Sequence, residues 1–326
     1  LVEIGHRVTA AGGLDALTAV GLAMVVGGLA FKLALVPCHA WAPDVYQGSP
    51  TPVTGFLSVV PKGAALIVLL RLADGMDLFH LSSRWVLGVS IIAVASQVLG
   101  NVVAIVQRDI KRMLAYSGVA HMGYALVAVI VAGPEGGAAV LVYFAAYTLM
   151  NMGAFASVAL LSEREDRPHL IDDLKGQGYH RPMAALTLTV SLFSLAGVPP
   201  FLGFTAKFMV FRAAVNEGLV WLAVVGVLNS LLAAFYYLRV IYALYMEPLP
   251  ERKPRFEQSL PIAAAATTAL PAWMNARLVV APFMPSSPAF TRTSSGPAPA
   301  PRASRAAPSR TPAERARART PSRPST

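Results

Sequence analysis

Apolar residues run along this chain in stretches of about twenty, separated by short polar connections, with no strand-type alternation and no regular turn spacing. Stretches of roughly that length cross a bilayer as helices, because hydrocarbon offers no partner for an open backbone N–H or C=O. The pattern predicts seven spans, at 17–37, 53–72, 85–106, 113–132, 138–161, 183–211 and 219–246. The predicted fold is therefore an all-α, polytopic transmembrane helix bundle, and a β-barrel is not expected. Residues 1–16 read as a loop remnant, from which the chain is expected to be an N-terminally truncated piece. The seven-helix domain fills 17–246.

The character changes beyond Glu247. Segment 247–284 reads as a connection followed by LPIAAAATTALPAWMNARLVVAPFM, apolar but carrying three prolines and Arg277. It reads equally as a weak or damaged final span and as no span. Residues 285–326 are Pro, Ala, Ser, Thr and Arg, a composition too poor in apolar side chains to fold. Two readings of this tail stand side by side. It is a basic segment that touches anionic lipid, or an out-of-frame translation of a G+C-rich gene, which coding sequence intact through codons 245–326 would test.

Composition supports lipid as solvent. The 326 residues are 55% hydrophobic and only 13% charged, with a mean hydropathy of +0.56, whereas soluble domains carry about a quarter charged residues. The net charge of +10 invites a nucleic-acid reading, but the eight arginines and single glutamate of 286–326 supply seven of those charges. No nucleic-acid partner is expected. The loops after odd-numbered spans hold ten Lys and Arg against four in the opposite set. By the positive-inside rule the former face the cytoplasm, and loop 38–52 with them.

Single Cys38 excludes an intrachain disulfide or a multi-thiolate metal site. The six histidines show no paired ligand spacing, GQGYHR lacks the third glycine of a dinucleotide fingerprint, and GVPPFLGF lacks the Gly-Lys-Ser/Thr of a phosphate loop. No redox cofactor or metal is expected in this chain.

The informative residues are charges inside apolar runs. Lys32, Lys62 and Lys207 fall within spans one, two and six, where ionisable groups are costly and functional by default. Each is near a helix breaker: Pro37, Pro61, and the Gly197, Pro199, Pro200 group. Breakers at membrane depth free carbonyls that only protein or a water-filled cavity satisfies, so discontinuous helices are predicted beside buried ammonium groups. A buried lysine that a neighbouring charge or water tips between NH3+ and NH2 is a switchable proton carrier. Candidate polar links are Ser96, Gln97, Ser117, His121, Tyr124, Tyr147, Asn151, Ser191, Ser194 and Thr205. His121 leads them because imidazole titrates near neutrality. Asn229 and Arg239 read as structural.

FKLALVPCHAWAPDVYQGSPTPV, KGAA at 62–65, NVVAIVQRDIKRMLAYSGVAHMGY and SLAGVPPFLGFTAKF together resemble the antiporter-like membrane subunits of respiratory complex I, and among them most closely the subunit N branch. The likeness runs over about 17–246. It implies an antiporter-like, inverted-repeat architecture of fourteen helices, of which this chain retains the second repeat and lacks the first six helices, including the fifth-helix glutamate that partners Lys32. It implies that Lys32 is the seventh-helix lysine of a first half-channel, Lys62 the eighth-helix connecting lysine, and Lys207 the twelfth-helix lysine of a second half-channel. His121 falls in the tenth helix, among linking groups. The implied activity is proton translocation as a subunit of NADH:quinone oxidoreductase. The whole complex uses NADH, FMN, iron–sulfur clusters and quinone, while this chain carries none of them. Implied partners are the neighbouring antiporter-like subunits and membrane lipid, in a bacterial inner membrane. Two alternatives remain: a cation/proton antiporter subunit of related ancestry, and a non-conducting scaffold.

Overall fold

Helix α1 (Ala16–Leu33) opens the part of the chain that the computed structural model describes, namely residues 16–76, 83–131, 133–162 and 169–248. After α1 come the short α2 (Trp41–Gly48), α3 (Thr51–Met76), α4 (Ser83–Val106), α5 (Ile110–Val131) and α6 (Gly133–Leu161). A 3-10 turn (Ile171–Leu174) and the one-turn α7 (Gln177–His180) lead to α8 (Pro182–Ala196), α9 (Leu202–Asn216) and α10 (Val220–Met246). Six of these helices are long and apolar enough to cross a membrane; α8 and α9 together account for the remaining predicted span. The 1–16 remnant (apart from Ala16), the connection and final segment beyond Pro248, and the 285–326 tail lie outside the described residues.

The elements follow from local chemistry. Helix α8 begins with Pro182 at its first turn, where the missing N–H has no intrahelical partner to lose. It stops at Gly197, whose φ of 87° lets its own N–H close back on Phe193 and Ser194. The first span is also interrupted. α1 ends at Leu33, four residues short of the predicted boundary, because Ala34 turns left-handed (φ 57°) and Pro37 follows. Trp41 Nε1 and the Ala34 N–H then both bond to the Phe31 carbonyl at the break.

Pro61 departs from expectation, since it lies inside the 26-residue α3 without ending it. Proline removes one donor and kinks a helix, but packing on both flanks can carry the helix through. Here α6 and α5 both pack against α3.

Helix α5 is the hub. All its residues except Arg112 and Tyr116 are buried, and α2, α3, α4, α6 and α9 pack around it. Close approach sets the α4–α5 contact: a Cβ on Gly100 would lie 2.7 Å from the Ala120 nitrogen and 2.8 Å from the Tyr116 oxygen, both backbone. Backbone cannot yield as a flexible side chain does. Gly100→Ala is expected to cost about 1–3 kcal/mol through overpacking, read as a lowered unfolding midpoint of the detergent-solubilised chain.

Polar side chains inside this bundle mostly fasten helices. Arg239 of α10 donates to the carbonyls of Ile105 (2.6 Å) and Gln107 (2.5 Å), capping the C-terminal end of α4. Asn101 donates to Asn229, and Tyr236 donates to Asn101. These contacts give Asn229 and Arg239 the structural roles expected of them. Outside the spans, Lys175 is held protonated above its ordinary range by hydrogen bonds to Asp172 and Glu247, each at 2.7 Å. That pairing ties the 171–174 turn to the end of α10.

Candidate functional site

His121 lies midway along α5, fully enclosed. Its Nδ1 is 2.7 Å from the Tyr143 hydroxyl of α6, and its Nε2 is 3.3 Å from the Tyr237 hydroxyl of α10. The Tyr237 hydroxyl is in turn 2.5 Å from Ser117 Oγ, one turn before His121. The rings of Tyr147 and Tyr124 flank the imidazole at 5.2 and 5.9 Å between centroids. One imidazole thus joins hydroxyls from two other helices, and every one of these groups can both give and take a proton.

A lysine stands on either side of this cluster. Lys62 of α3 is fully buried. Its Nζ is 5.6 Å from the Tyr46 ring centroid, within cation–π range. A Cβ on Gly118 of α5 would lie 2.9 Å from Lys62 Nζ and 3.1 Å from the Tyr147 hydroxyl. The glycine therefore lets the amine and the phenol share one small space beside α5. Asn151 donates to Ser58 Oγ (2.7 Å) one turn before Lys62, and Tyr147 donates to the Ser58 carbonyl (3.4 Å).

Lys207, in the second turn of α9, is 5% exposed. Its Nζ donates to the Leu195 and Ala196 carbonyls, both at 3.0 Å, and stands 5.0 Å over the Tyr124 ring. The lysine occupies the negative end of the α8 dipole, satisfying carbonyls that the break leaves open. Gly197 makes room for it, since a Cβ there would meet the Lys207 side chain at 3.0 Å.

Lys32 is placed differently from the expectation of a buried ammonium. It falls in the last turn of α1 and is exposed among the described residues. The physical reason is the break at Ala34, which ends the helix one residue later, and the sparse cover of α1, which buries only Leu22, Ala30 and Leu33. Lys62, His121 and Lys207 are brought together; Lys32 is not joined to them by any described contact.

Several expected links act otherwise. Thr205 faces outward and is exposed. Ser96 accepts the Val36 N–H, Gln97 donates to the Gly123 carbonyl, and Ser194 accepts the Gly203 N–H, all fastening backbone. Lys111, counted with the loop cations, is buried and donates to the Ser49 carbonyl at 2.8 Å. Sequence reasoning missed Tyr46, Tyr143 and Tyr237. For Tyr143 and Tyr237 the signal was a phenol inside an apolar span, where a buried hydroxyl normally finds a partner; Tyr46, in the segment between two spans, gave none. Among the described residues no three His, Cys, Asp or Glu side chains converge on a possible metal position.

An all-helical bundle with two interrupted spans, and with two buried amines set on either side of an imidazole and its phenol partners, is a multi-pass membrane protein of the antiporter-like class. The chain belongs to the family described as NADH:quinone oxidoreductase/Mrp antiporter, TM, which residues 7–233 match. It is 44% identical over 265 residues to NADH-quinone oxidoreductase subunit N of Rhodospirillum rubrum, covering 80% of this chain and 54% of that protein. It is 41% identical over 275 residues to subunit N of Geotalea uraniireducens, covering 82% and 57%. The chain thus spans about half the length of the curated relatives it matches. Among solved structures it is similar to respiratory complex I from Thermus thermophilus (32% identity, TM-score 0.69, 83% of this chain and 59% of that one). It is also similar to the Mrp complex from Dietzia sp. DQ12-45-1b (25% identity, TM-score 0.69, 78% and 49%).

Proposed function

We propose that this chain is a proton-translocating membrane subunit of an NADH:quinone oxidoreductase, passing protons through Lys62, His121 and Lys207 while quinone reduction in neighbouring subunits supplies the energy. The observation that carries the proposal is the enclosure of two lysines, Lys62 and Lys207, on either side of the hydrogen-bonded His121, Tyr143, Tyr237 and Ser117 cluster. Lys32, at the broken end of α1, is the relay member toward the rest of the complex. The chain itself takes part in no redox step; NADH, FMN, iron–sulfur clusters and quinone belong to the whole complex. Its partners are the other membrane subunits, above all the antiporter-like ones, and lipid. It resides in a bacterial inner membrane with segment 38–52 facing the cytoplasm.

The relay works by exchange of roles at each group. A protonated Lys62 passes its proton beside Tyr147, by way of water between them, to the cluster in which His121 bonds Tyr143 and Tyr237. The imidazole passes it by way of phenol hydroxyls toward Tyr124 and Lys207. Each transfer regenerates a group that can accept the next proton. His121→Leu in membranes holding the assembled complex should lower NADH-driven acidification about tenfold or more. Unchanged acidification would overturn the imidazole's role.

The likeness in fold to the Mrp complex, with the same TM-score of 0.69 at a lower identity (25% against 32%), supports one second reading, a cation/proton antiporter subunit. NADH-driven translocation that persists in sodium-free buffer supports the first reading, whereas strict sodium dependence supports the second.

A further inference from the structure

The α4–α5 turn and the first turn of α5 carry three charged groups that the relay does not use, Asp109, Lys111 and Arg112, and each reaches toward α2. Arg112 Nη1 donates to Asp44 Oδ1 at 2.6 Å and to Gln47 Oε1 at 2.9 Å. Gln47 Nε2 donates to Asp109 Oδ2 at 3.2 Å. Lys111 Nζ donates to the Ser49 carbonyl, the residue that ends α2. Asp109, 4% exposed, also accepts the backbone N–H groups of Arg112 and His169. These groups therefore hold α2 in its first turn, in its last turn and at its end, at residues 44, 47 and 49.

Helix α2 has only eight residues, a length that does not hold itself together in water. It joins the interrupted span of Lys32 to the helix of Lys62. Its buried face is Ala42, Pro43 and Tyr46, and Tyr46 is the residue whose ring lies over Lys62 Nζ. Tyr46 stands between the gripped positions 44 and 47, so a shift of α2 moves the ring off the lysine.

We infer that Arg112, with Asp109 and Lys111, is a positioning clamp that holds α2 so that Tyr46 faces the relay lysine Lys62. The inference rests on the relay reading above and adds residues to it. The contacts described for the three go to α2, not to Lys62. They act through α2, and a loosened clamp leaves the lysine in place with a misplaced neighbour.

The chain supplies its own reporter. Cys38, its single cysteine, is partly exposed in the segment that leads into α2. In membranes holding the assembled complex, Cys38 is labelled with N-ethylmaleimide, and the rate is read by mass spectrometry of this chain. Arg112→Gln and Asp44→Asn should each raise the rate about two- to fivefold, the change produced by losing roughly 0.4–1 kcal/mol of partly exposed pairing. Both should lower protons translocated per quinone reduced. Arg112→Lys, which keeps a charge for Asp44, should restore part of each. Unchanged labelling overturns the clamp. Faster labelling with an unchanged proton-to-quinone ratio, while Lys62→Met abolishes translocation, overturns the link to Lys62 and leaves the relay standing. Lys62→Met with full translocation removes the relay and the inference with it.

Discussion

Lys207→Ala is expected to abolish NADH-driven proton translocation while the chain remains in the membrane. The lysine is enclosed between α8, α9 and the Tyr124 ring, and its two carbonyl contacts hold it at the break. Alanine removes the proposed proton carrier and leaves the Leu195 and Ala196 carbonyls without their donor, at a cost of about 1–3 kcal/mol. Lost activity could then reflect a loosened break. Lys207→Arg separates the two causes. A guanidinium keeps charge and donors but does not release its proton near neutral pH, so this variant should assemble and still fail to translocate. Acidification by inverted vesicles, followed with quinone reduction and with the amount of chain in the membrane, reads all three. Acidification at the parent rate by vesicles carrying Lys207→Arg would remove Lys207 from the relay.

Gly203→Ala should be severely damaging for so small a change. Gly203 opens the first turn of α9, and a Cβ there would fall on the Ser194 carbonyl oxygen and lie 3.0 Å from Met150 Sδ. The glycine N–H also donates to Ser194 Oγ at 3.1 Å. The two halves of the interrupted span thus meet main chain to main chain, with no side chain to move aside. A loss of about 3 kcal/mol or more is expected, together with displacement of Lys207 from its carbonyls. A thermal midpoint that falls by several degrees, with translocation lost in the same variant, is the expected pair of results. A normal midpoint would show that α8 and α9 can part without harm.

The spans were legible because apolar runs of membrane length leave few alternatives. The interruption at 197–201 was legible from Gly197, Pro199 and Pro200. Pro61 misled because a proline's local cost is fixed by sequence, whereas the packing that carries a helix through it is tertiary. Lys62 and Lys207 announced themselves as charges in apolar runs. Tyr143 and Tyr237 did not, because a phenol in such a run resembles any other core side chain until helix crossing points it at His121. Lys111 looked like a loop cation for a similar reason: its position in sequence is at a helix end, but α2 folds over it. The exposure of Lys32 follows from what covers α1, which no local pattern of residues encodes.

The counter-charge to Lys207 is main chain. A carboxylate in that position could itself take up the proton, and the pair would then fall neutral without passing anything onward. The Leu195 and Ala196 carbonyls have no titratable state near neutral pH and carry a fixed partial charge whatever the lysine does. Of the two sides of this contact only one can change its charge, so in the proposed relay the break in the span would serve as a permanent electrode against which a single switch is thrown.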